Sequence, residues 1–144
     1  DSEVFTHILH YMLNSLGLGI EAYKHVITPL QNEEFDRHPD GEFLRRLKRS
    51  CRRLIIDGPN CTIGCLPDRS LFMAQDRKKL RPGVVGGSPG MYVFSSAICG
   101  LDAGLPDRNK QTDFQPMHLD TVIVGPDHRE AKICHQMKKL SLLH

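Results

Sequence analysis

Short apolar segments that end in turn residues constrain the fold of this chain most strongly. The clearest is Thr121–Val124, which the turn sequence Gly125-Pro126-Asp127 follows. Residues 54–56 precede Asp57-Gly58-Pro59-Asn60, and Val84-Val85 precedes a glycine-rich turn. Each apolar segment is too short for a stable helix and is rich in branched aliphatic residues. Each is therefore predicted to be a buried strand.

Segments with helical periodicity lie before and between these strands. In the first of them, apolar side chains recur every three or four residues from Val4 to Leu16, and Gly17 is a suitable end. Helices are predicted over residues 3–16, 20–28, 41–53, 70–80 and 130–143. Because strands that alternate with helices favour a parallel sheet with helices on its faces, the sequence predicts an α/β fold of that kind.

A polar connection over residues 31–40, which contains Pro39, marks a candidate boundary. Residues 1–40 are predicted to form a helical N-terminal extension, and residues 41–144 the α/β domain. The chain has 144 residues, which is enough for one ordinary domain with its own core. We therefore expect the two parts to form one compact unit.

Composition limits where such a chain would work. Hydrophobic residues make up 40% and charged residues 25% of the sequence, as is typical of soluble globular proteins. No apolar run approaches the ~20 residues needed to cross a bilayer, so we expect no membrane partner and no targeting segment. The odd number of cysteines, five, argues for reduced thiols and an intracellular protein in the cytoplasm or nucleus. Asn60-Cys61-Thr62 opposes this, because it matches an N-glycosylation sequon.

Basic residues crowd one short stretch, although the formal net charge is only +2. The cluster comprises Arg45, Arg46, Lys48, Arg49, Arg52 and Arg53. Local basic density of this kind attracts phosphate backbones, so these residues are candidates for binding RNA. The alternative is a solvated helix face. The amphipathic helices of residues 1–40 offer a further possibility, a surface for a protein partner.

Aspartates follow two of the predicted strands. Asp57 comes after residues 54–56 and Asp127 after Thr121–Val124, while Asp113 precedes the last strand. In an open parallel sheet the carboxyl ends of the strands meet at one edge, where ligands bind. Carboxylates gathered there suit Mg²⁺ or Mn²⁺, which would activate water and stabilise charge on a phosphate.

These segments resemble motifs of the NYN branch of PIN-like ribonucleases. The resemblance spans about residues 52–144 and is carried by residues 54–60, by Lys110-x-x-Asp113 and by residues 120–127. It implies a Rossmann-like parallel sheet, Mg²⁺ or Mn²⁺, and hydrolysis of RNA. Carried over by position, Asp57, Asp113 and Asp127 would bind the metal, and Asn60 would orient a ligand or water. The alternative is that these Asp and Asn residues only form turns.

A second candidate site lies in the turn after Val84-Val85. Gly86, Gly87 and Gly90, followed by a possible helix, are similar to a dinucleotide-binding fingerprint, in which glycines let the backbone approach a pyrophosphate. The alternative is an ordinary Gly-Pro turn.

Cysteine and histidine give a third and weaker pattern. Cys61-x-x-x-Cys65, with Cys134 and His135, would supply four zinc ligands. The alternative is buried free thiols.

Three hypotheses about function follow from the sequence. The first is a metal-dependent nuclease acting on RNA, with the arginines of residues 45–53 holding the substrate. The second is a non-catalytic module that binds a protein or a nucleic acid. The third is a binder of nucleotide phosphates at the turn of residues 86–90.

Overall fold

The computed structural model describes residues 2–135. Within this range the chain divides into two compact parts, the helical unit of residues 2–58 and the sheet unit of residues 59–135. The helix that begins at Gly41 belongs to the helical unit, so this division does not fall at the boundary predicted near residue 40. No described helix is long and apolar enough to span a membrane.

The helical unit consists of short helices connected by tight turns. Its α-helices are α1 (Ser2–His10), α2 (Tyr23–Ile27), α3 (Asn32–Arg37) and α4 (Gly41–Ser50). A π-helical turn (Tyr11–Ser15) continues α1, and 3₁₀ turns span Ile20–Ala22 and Arg52–Leu54. The helices predicted over residues 3–16, 20–28 and 41–53 are thereby confirmed. Helix α3 was not predicted, and a capping box between Gln31 and Glu34 begins it.

Residues 54–56 are not the buried strand that the sequence predicts. Leu54 ends a 3₁₀ turn, and the amide of Ile56 donates a hydrogen bond to the carbonyl of Ile27 over 2.7 Å. Ile56 is therefore held against helix α2, while Ile55 is exposed. Three apolar residues in a row carry no periodicity that would have distinguished the two outcomes.

Helices α2 and α4 hold the core of the helical unit, and polar groups are buried with them. Tyr23, Val26 and Leu44 are fully or almost fully buried. Lys48 is buried too, and its Nζ donates to the carbonyl of Val26 over 2.7 Å. The buried amine is thus paired with a backbone acceptor, as burial of a charge requires.

The sheet unit contains six strands in two antiparallel sheets. The strands are β1 (Cys61–Cys65), β2 (Leu71–Gln75), β3 (Val84–Ser88), β4 (Met91–Ser95), β5 (Thr121–Val124) and β6 (Ala131–Cys134), and helix α5 (Ile98–Gly104) follows β4. One sheet has the order β1-β2-β5-β6, and β3 and β4 form a hairpin. Met73, Val85 and Val122 form a core between the two sheets.

The predicted Rossmann-like parallel sheet is therefore wrong, because every strand pair is antiparallel. Residues 66–70 join β1 to β2, and residues 125–130 join β5 to β6. Such connections are too short for the crossover that parallel neighbours need. The helix predicted over residues 70–80 is strand β2, and the one predicted from Glu130 begins as strand β6. The rest of that predicted terminal helix lies outside the described residues.

Two histidines lie in the interior of the helical unit. The rings of His25 and His38 are buried with their centroids 5.1 Å apart. Within residues 2–135, Nδ1 of His25 and Nε2 of His38 find no hydrogen-bond partner. Burial and the neighbouring His38 and Lys48 lower the pKa of His25 from its ordinary 6.5 to about 4, against an opposing effect of Glu34. His25 is therefore neutral in the folded protein at neutral pH.

We expect the stability of the helical unit to fall in acid. The unfolded chain takes up a proton on His25 below pH 6.5 while the folded chain does not, so stability is present above pH 6.5 and is lost as the pH falls towards 4. The loss expected from this residue is about 3 kcal/mol. Urea unfolding at several pH values measures it. His25→Gln should flatten the pH dependence, whereas His10→Gln, at an exposed histidine of α1, should leave it unchanged. An equally steep curve for His25→Gln would contradict the assignment.

Candidate nucleic-acid interface

The three aspartates predicted to bind a metal are divided between the two units. Asp57 is exposed near the end of the helical unit, while Asp113 and Asp127 belong to the sheet unit. Among residues 2–135, no group of three or more His, Cys, Asp or Glu side chains is arranged to hold a metal ion. The described structure therefore offers no ready coordination shell for Mg²⁺ or Mn²⁺.

Asp113 is already paired with a buried arginine. Nε and Nη2 of Arg108 donate to its two carboxylate oxygens over 2.9 and 2.8 Å, and the Arg108 side chain is only 2% exposed. The Nη1 of Arg108 also donates to Asp102, over 3.0 Å. Such a bidentate pair neutralises the carboxylate and fixes its orientation. Asp113 thus stabilises the loop that follows α5.

Lys110, the other residue of the Lys-x-x-Asp motif, belongs to the same network. Its Nζ lies 2.9 Å from Oδ1 of Asp102. Hydrogen bonds from Lys110 and then Arg108 lower the pKa of Asp102, and the carboxylates of Asp113 and Asp102 raise the pKa of Arg108. The motif that resembles a nuclease element is therefore an internal salt-bridge network here.

Asp127 and Asn60 take part in turns and backbone pairing. Asp127 is exposed in the β5–β6 connection, where its Oδ1 accepts from the amide of Arg129 over 3.3 Å. The carbonyl of Asn60 accepts from the amide of Asp76 over 3.1 Å. Asn60 lies in the sheet unit and Asp57 in the helical unit. Residues 57–60 are thus a connection between units rather than the loop after a strand.

The glycines of residues 86–90 form a hairpin. Gly87 and Gly90 have positive φ, 128° and 95°, and strand β4 follows them. The dinucleotide fingerprint needs a helix N-terminus at this place, and the described backbone has none there. Packing explains why Gly86 is small, because a Cβ would lie 2.6 Å from Oδ1 of Asp113.

The cysteines do not form a zinc site within the described residues. None of the five forms a disulfide in the described part of the chain, Cys65 is exposed, and Cys134 is buried in β6. His135 instead binds a buried carboxylate, with its Nδ1 3.0 Å from Oδ1 of Asp120. This pair, which sequence reasoning did not anticipate, fixes the end of β6.

Half of the predicted basic cluster is engaged within the helical unit. Arg45 pairs with Asp36 and lies 5.5 Å from the centre of the Phe35 ring. Arg46 pairs with Glu42 over 3.1 Å, and Lys48 is buried as described above. These residues were candidates for binding nucleic acid, but their charges are already balanced or enclosed. That these three residues bind nucleic acid stays a prediction.

The other half of the cluster is exposed. Arg49 ends on the surface of α4, and Arg52 and Arg53 lie on the 3₁₀ turn after it. Within residues 2–135, none of the three makes an ion pair with a carboxylate. Three unpaired guanidinium groups within five residues create a local excess of positive charge.

A groove beside these arginines is lined by side chains that can bind an anion. We call it the arginine lobe; its volume is about 310 Å³ and it is lined by Tyr11, Ser50, Arg52, Arg53 and Leu54. Guanidinium groups and a hydroxyl group donate hydrogen bonds to anionic oxygens, and an aromatic ring stacks on flat groups. Tyr11 was missed because it is far from the arginines in sequence, and Ser50 was missed because a single serine next to arginines forms no motif.

Local backbone structure fixes the arginines of this lobe. Cys51 is buried between Arg52 and the end of α4, and its amide donates to the carbonyl of Leu47 over 2.8 Å. The amide of Leu54 in turn donates to the carbonyl of Cys51 over 2.8 Å. Burial raises the pKa of the Cys51 thiol, so this side chain remains a neutral anchor.

The salt-bridge network around Arg108 predicts what removal of Asp113 does. Asp113→Asn leaves an enclosed guanidinium with one carboxylate fewer, and we expect the melting temperature to fall by roughly 5 °C or more. Asp107→Asn, which changes an exposed carboxylate in the same loop, should change the melting temperature little. Thermal unfolding with and without Mn²⁺ measures both. A stabilisation by Mn²⁺ that disappears in Asp113→Asn would instead support a metal site.

No protein-family model, curated protein or solved structure matches this chain. The resemblance to NYN ribonucleases therefore depends on the sequence motifs alone and stays a prediction. Any function must be argued from the side chains themselves.

Proposed function

We propose that the helical unit is a non-catalytic module that binds the phosphate backbone of single-stranded RNA. One observation carries the proposal. Arg49, Arg52 and Arg53 are exposed within five residues of one another, and no carboxylate of the described residues pairs with them. Other arginines of this unit, Arg45 and Arg46, have such partners.

Unpaired arginines differ from paired ones in what they offer a ligand. A guanidinium without a carboxylate partner attracts anions at long range and gives bidentate hydrogen bonds to phosphate. Binding also releases the counterions that surround a nucleic acid, which makes the affinity depend on salt. The phosphate groups of a chain repeat, so several arginines can be satisfied by one RNA strand.

The exposed ring of Tyr11 favours a single strand. It is 45% exposed and lines the same lobe as Arg52 and Arg53. Aromatic side chains stack on unpaired bases with little preference for sequence, while arginines follow the backbone. We therefore expect sequence-tolerant binding.

Hydrolysis of RNA is not part of this proposal. Metal-dependent hydrolysis needs ligands for the ion, and Asp113 is bound by Arg108 while Asp127 is exposed in a turn. The nuclease with Mg²⁺ or Mn²⁺ at Asp57, Asp113 and Asp127 stays a prediction that the assay below also tests. Phosphate binding at Gly86, Gly87 and Gly90, and a protein partner for residues 1–40, likewise stay predictions.

Replacing two of the unpaired arginines should weaken RNA binding. We expect Arg52→Gln/Arg53→Gln to lower the affinity for a labelled oligoadenylate roughly tenfold, and to reduce the slope of log K against log salt by about 1.4, twice the value for one contact with a single strand. Fluorescence anisotropy at several salt concentrations measures both. The control is Lys78→Gln/Lys79→Gln, which removes the same charge from the sheet unit and should change the slope little.

Two results would contradict the proposal. Equal losses in the two double variants would mean that only net charge matters, and no binding by the unaltered chain at low salt would exclude RNA. Adding Mn²⁺ to the same mixture tests the nuclease. Cleavage that is lost in Asp57→Asn would make the protein an enzyme, against the non-catalytic module proposed here.

A further inference from the structure

We infer that the groove of the helical unit binds one complete nucleotide, with phosphate on the arginines and the base in a neighbouring apolar hollow. This inference rests on the proposed function and adds the substrate class of the site. The hollow, which we call the apolar lobe, has a volume of about 320 Å³. It is lined by Val4, His7, Ile8 and Ile56, and it shares Tyr11, Arg53 and Leu54 with the arginine lobe.

The two lobes are adjacent because they share their dividing wall. Tyr11, Arg53 and Leu54 line both of them. The arginine lobe adds Ser50 and Arg52, which are polar, and the apolar lobe adds mainly aliphatic side chains. One end of the groove therefore favours an anion and the other favours an uncharged, apolar group.

Helix α1 and the π-helical turn that continues it supply four of the seven residues that line the apolar lobe. Val4, His7, Ile8 and Tyr11 follow one another at helical spacing, which places them on one face of the helix. Ile56, which also lines this lobe, is held in place by the hydrogen bond from its amide to the carbonyl of Ile27. Val4 is 55% exposed although it is aliphatic. A ligand that covers this face would remove apolar surface from water, which favours binding.

The size and charge of the groove favour a nucleotide over an acidic protein segment. A peptide helix needs a long groove that accepts anchors over about two turns. Here each lobe holds only about 310 to 320 Å³, which is at the small end of sites for small molecules. An anionic group joined to one flat ring matches two small lobes with arginine at one end and aliphatic side chains at the other.

This geometry has a consequence for the form of the RNA. A base that enters the apolar lobe has to leave its stack, and extrusion is easiest from a single strand or an end. The aliphatic residues of the wall, Val4, Ile8, Leu54 and Ile56, offer a base no side-chain hydrogen bond, so most of the wall does not read the base's identity. The site should therefore distinguish strands that can expose a base from duplexes, and should tolerate any base.

The experiment compares ligands that have the same number of phosphates but differ in whether an unpaired base is present. Labelled oligoadenylate, an abasic oligomer with the same number of phosphates, and a duplex of the same length are titrated against the full chain. We expect the abasic oligomer and the duplex to bind roughly tenfold more weakly than oligoadenylate. Val4→Glu, which brings a carboxylate to the apolar lobe, should remove that difference. The control is Phe43→Glu, at an apolar residue of α4 that is 41% exposed and lines neither lobe, and it should preserve the difference.

The outcomes separate this inference from the proposed function. If oligoadenylate and the abasic oligomer bind equally and both depend on Arg52 and Arg53, the RNA module stands and the base site is wrong. If no RNA binds, adenosine monophosphate is titrated while the methyl signals of Val4 and Ile8 are followed by NMR. Shifts absent from a ribose 5-phosphate titration would support the nucleotide site without RNA, and no shifts at about 10 mM would overturn it. Displacement of oligoadenylate by a hexaglutamate peptide but not by the mononucleotide would assign the groove to acidic proteins.

Discussion

The buried hydrogen bond from Lys48 to the carbonyl of Val26 is the interaction on which the helical unit depends most. It joins α4 to α2 across 22 residues of sequence. A buried ammonium group has to be paired, and breaking such a contact is costly because the charge cannot return to water without unfolding. The bond therefore fixes how α4 lies on the core. The direction of the three exposed arginines follows from that placement.

Which charges are paired decides what each unit can bind. In the sheet unit, Arg108 occupies Asp113 and Asp102, and in the helical unit Asp36 and Glu42 occupy two arginines of the basic cluster. Paired groups stabilise their surroundings and present little net field to a ligand. Groups left without a partner are available to a ligand, and among the described residues Arg49, Arg52 and Arg53 are such groups within five residues of one another, whereas Asp113 of the predicted metal site is bound by Arg108. This is the physical reason for preferring a binder of anions over a binder of cations.

The sequence predicts the parts of the structure whose burial is periodic. The helices of residues 3–16, 20–28 and 41–53 and the strand Thr121–Val124 are correct because one face of each is apolar or the segment ends in clear turn residues. Strand β2 was mistaken for helix because four of its five residues are buried, so no alternation marks it as a strand. The direction of the strands could not be predicted, since it depends on which short connections join them.

The candidate site was harder to predict than the fold. Asp113 could not be distinguished from a catalytic aspartate, because its pairing with Arg108 is visible only in the folded structure. The groove was missed because Tyr11 and Arg53 are far apart in sequence.

That distance along the chain makes the groove a product of folding. Tyr11 and the turn Arg52–Leu54 come together only when α1 is docked, so a partly unfolded helical unit has the arginines but not the groove. A ligand that needs the groove binds only the docked form and stabilises it by mass action. Acid acts in the opposite direction, because protonation of His25 favours the unfolded chain. Ligand concentration and proton concentration thus act in opposite directions on one folding equilibrium, and occupancy of the groove would decline in acid.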